Sequence, residues 1–123
     1  MPFDWNEYLV LANFLSTQQG IASPAEASKR SAVSRAYFAV FCSTRNYARD
    51  KLHYVPSKKA DDHERLRAYL QAQGTAKLAD VAVALQNLRE WRNYCDYDDT
   101  LRGLDIMVKM ALREAAEVMK KLQ

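Results

Sequence analysis

The chain has 123 residues, 49% of them hydrophobic, with only three glycines and three prolines. That length suits one domain around one core, spanning residues 1–123, and the scarcity of chain breakers favours a helical globule over a β-rich or disordered chain. The net charge is only +3, but it is unevenly spread: between positions 29 and 59, Lys29, Arg30, Arg35, Arg45, Arg49, Lys51, Lys58 and Lys59 face the single acid Asp50. An anionic partner such as nucleic acid and a plain solvated helix face both account for such a stretch.

Asp4 with Glu7 three residues later is a capping-box pattern, and it predicts a first helix to about Thr17 that stops near Gly20. Ser23-Pro24-Ala25-Glu26 opens the second: an N-cap serine, proline at the first helical position and glutamate at the third. No breaker follows until the His53 region, so this helix is long, with an apolar arc of Val33, Ala36, Tyr37, Val40, Phe41, Thr44, Tyr47 and Ala48. Phe38 and Cys42 widen the arc past half the circumference, as expected of a helix at the centre of a bundle or at a subunit interface. A loop holding Pro56, Lys58 and Lys59 leads to Asp61-Asp62-His63-Glu64, the start of a short third helix ending by Gly74. Thr75 caps a fourth helix, Ala76 to Asn93, with the stripe Leu78, Val81, Leu85 and Leu88. A turn is expected over residues 94–98, then a fifth helix from about Asp99 to Leu122. Its main stripe is Leu101, Leu104, Val108, Leu112, Ala115, Met119 and Leu122; Ile106 and Met110 point the opposite way and suggest a dimer face. The sum is an all-α chain, an antiparallel up-and-down bundle of four to five helices.

Several chemistries find no footing. There is no Walker-type loop or Gly-rich phosphate cradle, no clean helix-turn-helix, no nucleophile elbow and no Glu-x-x-His pair for a di-iron bundle. The two cysteines, Cys42 and Cys95, have no zinc-ligand spacing and read as reduced thiols. No cofactor or metal is expected. No apolar run approaches the roughly 20 residues of a membrane span, and the first residues lack the pattern of a signal peptide, so a cytoplasmic location is expected.

Arg92 remains to be explained. It lies four residues beyond Leu88, on the same side as Val81 and Leu85, where a leucine would continue the core stripe. A desolvated guanidinium costs several kcal/mol unless it is paired. Arg92 is therefore either satisfied internally, for example by Asp96 one turn on, or held for an anionic partner.

The run Leu85-x-x-Leu88-Arg89-x-x-Arg92-Asn93-x-x-Asp96-Tyr97 resembles the signature of HEPN domains, small helical nucleotide-associated proteins. Residues 31–41 are similar to the second helix of that family, and Asp62-His63-Glu64-Arg65-Leu66 to the start of its third. The resemblance implies a HEPN-like bundle. It also implies, as in many members, a metal-independent ribonuclease motif of arginine, a polar residue and a histidine a few positions later, with two protomers sharing a cleft. Carried over, Arg92 binds the scissile phosphate and Asn93 helps to position it. Positions 97, 98 and 99 are Tyr97, Asp98 and Asp99, so the motif histidine is missing and Tyr97 is the nearest proton-bearing replacement. Arg92, Asp96, Arg35 and His63 form the expected nucleotide- or RNA-binding set. For Arg35 an ion pair, for Tyr97 packing and for His63 a place in the capping region compete with those roles. The function expected is binding of RNA or nucleotide phosphate by a module with a degenerate motif. It would act as a homodimer and with a nucleotidyltransferase antitoxin, without a membrane. The alternatives are an active ribonuclease toxin using Arg92 and Asn93, and a structural interaction protein in which Arg92 is a strut.

Overall fold

The computed structural model describes residues 2–17 and 25–123. Over these the chain forms five helices and no strand: α1 (Asn6–Ser16), α2 (Ala25–Lys51), α3 (Asp62–Ala72), α4 (Ala76–Tyr97) and α5 (Leu104–Lys121). The all-α bundle expected from the capping and periodicity is therefore present. Its axis is α2, which packs on α1, α4 and α5 and touches α3; α3 leans on α4, and α5 closes against α4 and α1.

The sequence of α2 explains that central place. Ala32, Ala36, Ala39 and Ala48 are fully buried on it, small enough to let neighbouring helices approach closely, while Val33, Tyr37 and Val40 fill the gaps between. Leu78, Val81, Leu85 and Leu88 of α4 are all buried against it, as their spacing predicts. Val108 and Ala115 are buried on α5, with Leu104, Leu112, Met119 and Leu122 partly covered. Ile106 stays 65% exposed and Met110 38% exposed on the outer side.

The caps are met in part. The Asp4 carboxylate accepts from the Asn6 N–H at 3.0 Å, and Thr75 Oγ1 accepts from the Leu78 N–H at 3.3 Å. Asp61 makes no side-chain cap; it is Asp62, 4% exposed, that gathers the loop. Its carboxylate accepts from the Tyr54 hydroxyl, from the Ser57 N–H at 3.2 Å and from Arg65 at 3.4 Å. The expected Ser23-Pro24 cap and the stop near Gly20 lie outside the described residues.

Two boundaries differ from expectation. Helix α4 continues through the expected turn to Tyr97, where Arg30 of α2 supplies donors: it reaches the Cys95 carbonyl in the last turn at 3.0 Å and the Asp98 and Asp99 carbonyls just beyond it at 2.6 and 3.3 Å. A cation there also complements the helix dipole. Helix α5 begins at Leu104 instead of Asp99, after Gly103 takes a left-handed conformation (φ +67°) that glycine adopts without penalty. Leu101 is thus a half-buried loop residue packed on the core.

Among the described residues no helix is long and apolar enough to cross a membrane. Cys42 and Cys95 are free, buried thiols, and burial pushes Cys95 up to about 11, so neither has the character of a reactive thiolate.

An arginine cluster as the candidate functional site

Three helices build the site. Helix α2 presents the stacked aromatics Tyr37, Phe38 and Phe41; the first turn of α3 brings His63, and its next turn Arg67; the last turns of α4 bring Arg89, Arg92, Asn93 and Asp96. His63 and Arg67 are four residues apart, Arg89 and Arg92 three, so each pair shares a helix face.

His63 is wedged into the aromatics. Its ring lies on Phe41 at 4.1 Å between centroids and 20° from parallel, and edge-on to Phe38 at 6.5 Å. The Tyr37 hydroxyl hydrogen-bonds His63 Nδ1. Burial raises the Tyr37 pKa well above the usual phenol range, against the pull of Arg89, Arg67 and Arg92. The phenol therefore keeps its proton, and with His63 as its one partner among the described residues it donates to Nδ1. That assigns the neutral imidazole as the Nε2–H tautomer, with Nε2 a donor. Burial, then the guanidiniums of Arg89, Arg92 and Arg67, lower the His63 pKa below 6.5, so the ring is neutral at pH 7.

Arg92 is the hinge of the cluster. Its guanidinium stands 5.0 Å from the Phe38 ring centre and 5.8 Å from that of Tyr97. Nη1 donates to Asn93 Oδ1 at 3.1 Å. Nε lies 2.8 Å from Asp96 Oδ2 but off the N–H axis, so the contact is an ion pair without an aligned hydrogen bond. Asp96 also accepts from Ser34 Oγ of α2 at 3.3 Å. Arg35 reaches the same aromatics from the other side, 5.5 Å from the Phe38 centre and 5.0 Å from that of Tyr8.

Of the site residues expected from the sequence, Arg92, Arg35 and His63 lie against Phe38. Arg92 contacts both Asn93 and Asp96, and Arg35 is held by aromatic faces, with no ion pair among the described residues. Tyr97 is on the helix but 72% exposed, and among the described residues the Arg92 guanidinium lies beside its ring. Arg67 was not singled out by sequence, and Arg89, Tyr37 and Phe38 were named only in the signature and the apolar arc, not as site residues. The i,i+4 spacing of His63 and Arg67 and the i,i+3 spacing of Arg89 and Arg92 could have flagged the two arginines, but only with α3 known to pack on α4.

Neither Arg67 nor Arg89 has a carboxylate within ion-pair distance among the described residues. Arg67 donates to the His63 carbonyl at 3.1 Å, and burial and the nearby Arg89 lower its pKa. The cluster thus carries more positive than negative charge, relieved by Asp96 beside Arg92 and by the fields of Glu64 and Glu90 at Arg67. Guanidiniums held in this way suit the paired oxygens of a phosphate, which would relieve their mutual repulsion. Among the described residues no group of three or more His, Cys, Asp and Glu side chains is placed to hold a metal ion. Comparison with protein families, curated proteins and solved structures finds no match to this chain.

Proposed function

We propose that this chain is a HEPN-like module that binds a phosphate of RNA or of a nucleotide, with a degenerate catalytic motif. The observation that carries the reading is the convergence of Arg67, Arg89 and Arg92 on the neutral His63–Tyr37 pair, with Asp96 the one carboxylate paired among them. Phosphate oxygens accept hydrogen bonds from guanidiniums and from an imidazole Nε2–H alike.

The ribonuclease alternative needs a base for the 2′-hydroxyl. Nδ1 of His63 is taken by Tyr37 and Nε2 already bears the proton; Tyr97 is a phenol, a poor base at neutral pH. The strut alternative needs a pair that the fold depends on. Arg92 and Asp96 are 21% and 27% exposed and Arg92 Nε is sealed from solvent, so the pair is only partly screened and the melt of the Arg92 variant below is what separates strut from binding site.

The wider reading keeps a homodimer, joined through the face that exposes Ile106 and Met110, and a nucleotidyltransferase partner in the cytoplasm. Sedimentation of Ile106→Glu tests the dimer: a monomer is expected, and an unchanged mass would move the interface elsewhere.

The binding reading is tested by anisotropy with a short single-stranded RNA titrated with salt. Arg92→Met keeps the length of the side chain and removes its charge. Affinity is expected to fall, with a salt slope shallower by about 0.7, while the melt changes little. A large melt loss with unchanged binding would overturn the reading in favour of the strut. Robust RNA cleavage that resists chelator and is lost in Arg92→Ala would overturn it in favour of the ribonuclease.

A further inference from the structure

The guanidinium of Arg92 has two unlike sides. Its inner nitrogen, Nε, is sealed from solvent and lies 2.8 Å from Asp96 Oδ2 without an aligned hydrogen bond. Nη1 is tied to Asn93, while Nη2 is not sealed and has no hydrogen bond among the described residues. An anion arriving from solvent therefore meets Arg92 on the Nη2 side, with Asp96 already seated on the Nε side. The charge of a guanidinium is delocalised over its nitrogens. Two anions on opposite sides divide that one charge and repel each other across it.

Asp96 does little to orient Arg92. A hydrogen bond weakens steeply with misalignment, so the off-axis contact neutralises without aiming. The plane of the guanidinium is set by the Phe38 ring, 5.0 Å away, and by Asn93 Oδ1 at 3.1 Å. Asp96 is itself fixed from another helix: Ser34 of α2, only 5% exposed, donates its hydroxyl to Oδ2 at 3.3 Å. The carboxylate is thus kept beside the arginine by a group that belongs to neither residue's turn.

We infer that Asp96 is a built-in brake on the anion site, drawing off the charge of Arg92 and weakening its hold on phosphate. The inference rests on the phosphate reading above. A carboxylate that served to position Arg92 would weaken binding when removed; a brake strengthens it.

The test is calorimetric titration of the intact protein with inorganic phosphate at low salt. Asp96→Asn keeps the shape of the side chain and an oxygen for Ser34; Asp96→Ala is a second substitution at this partly exposed position. Each should bind phosphate about tenfold tighter than the parent. Combined with Arg92→Met, the same substitutions should change affinity by about twofold or less, because the brake acts through Arg92. Unchanged affinity in both single variants would overturn the brake, and weaker binding would make Asp96 a positioning group instead. A tenfold gain that persists alongside Arg92→Met would show a general field in place of a hold on Arg92, and would overturn it too. Parent and variants that all fail to bind phosphate would remove the phosphate reading, and the brake with it.

Discussion

The basic side chains of α2 and those of the α3–α4 face meet opposite fates. Lys29 bridges to Asp105 at 2.7 Å, Arg30 to Glu26 at 3.1 Å and to the end of α4, and Arg49 to Asp50 at 2.8 Å. Arg45 lies over Trp5 and bonds Asn46. Across the bundle, Arg67 and Arg89 reach no carboxylate among the described residues, and Arg92 shares one. The stretch from 29 to 59 is the basic one by count, while 61 to 99 holds more acids than bases. Local field follows convergence in space, so three arginines spread over 26 positions of an acidic stretch can act together where the basic stretch does not. Phosphate contacts gain from charges left unneutralised, so the proposed phosphate reading draws on the second region.

Removing the charges on each side should give the largest contrast. Arg67→Met, Arg89→Met and Arg92→Met together should lower affinity for single-stranded RNA by about a hundredfold at low salt and flatten the salt slope by about two units. Arg45→Met with Arg49→Met should change affinity by about twofold or less. Anisotropy titrations of both variants measure the difference. Equal losses would show that the α2 side chains bind RNA too and would dissolve the contrast.

Arg30 sharpens it from the structural side, since its charge is spent on Glu26 and on carbonyls at and just beyond the end of α4. Arg30→Met should cost about 2 kcal/mol, or roughly 8 °C in the melt, by stripping donors from the end of α4. Hydrogen exchange should quicken in the last turn of α4, which carries Asn93 and Asp96. RNA affinity should fall less than for the cluster variants, because Arg30 acts only by positioning that turn.

These regions also show how far the sequence could be read. Periodicity disclosed α2 as the central helix and the buried stripe of α4, because a 3.6-residue repeat is set by one element alone. The Arg92–Asp96 pair was legible for the same reason, being four residues apart on one helix. The end of α4 was not: residues 94–98 look like a turn until Arg30, 65 positions away from Cys95, supplies the missing donor. His63 was visible as a candidate but its chemistry was not. Its tautomer and lowered pKa depend on Tyr37, Arg67 and Arg89, which reach it only through the packing of α2, α3 and α4.

That dependence gives His63 a measurable pH signature. In the unfolded chain it protonates near 6.5; in the fold burial and the three guanidiniums hold its pKa lower. Between the two values the unfolded state binds more protons, so stability falls as the pH is lowered through 6.5 and the loss is complete below the folded value. Chemical melts across this window should show the decline in the parent protein and a flatter profile in His63→Gln. Phosphate should offset part of the decline, because an anion beside the cluster favours the imidazolium. A parent profile as flat as that of the variant would mean that neither burial nor the arginines act on His63, and the cluster would lose its centre.

The smallest effect belongs to Arg49, on the other side of the comparison. The pair with Asp50 is short, and its hydrogen bond holds the Asp50 carboxyl below the usual carboxylate range. Yet the two side chains are 50% and 60% exposed, where water screens the attraction and ordering two flexible side chains offsets the remainder. Arg49→Ala should leave the melting temperature unchanged within error at low and at high salt, and RNA affinity likewise. A salt-sensitive drop in the melt would show that a surface pair on α2 supports the fold. A drop in RNA affinity alone would extend the anion site round to α2, and the division between spent and unspent charge would then have to be redrawn at Arg49.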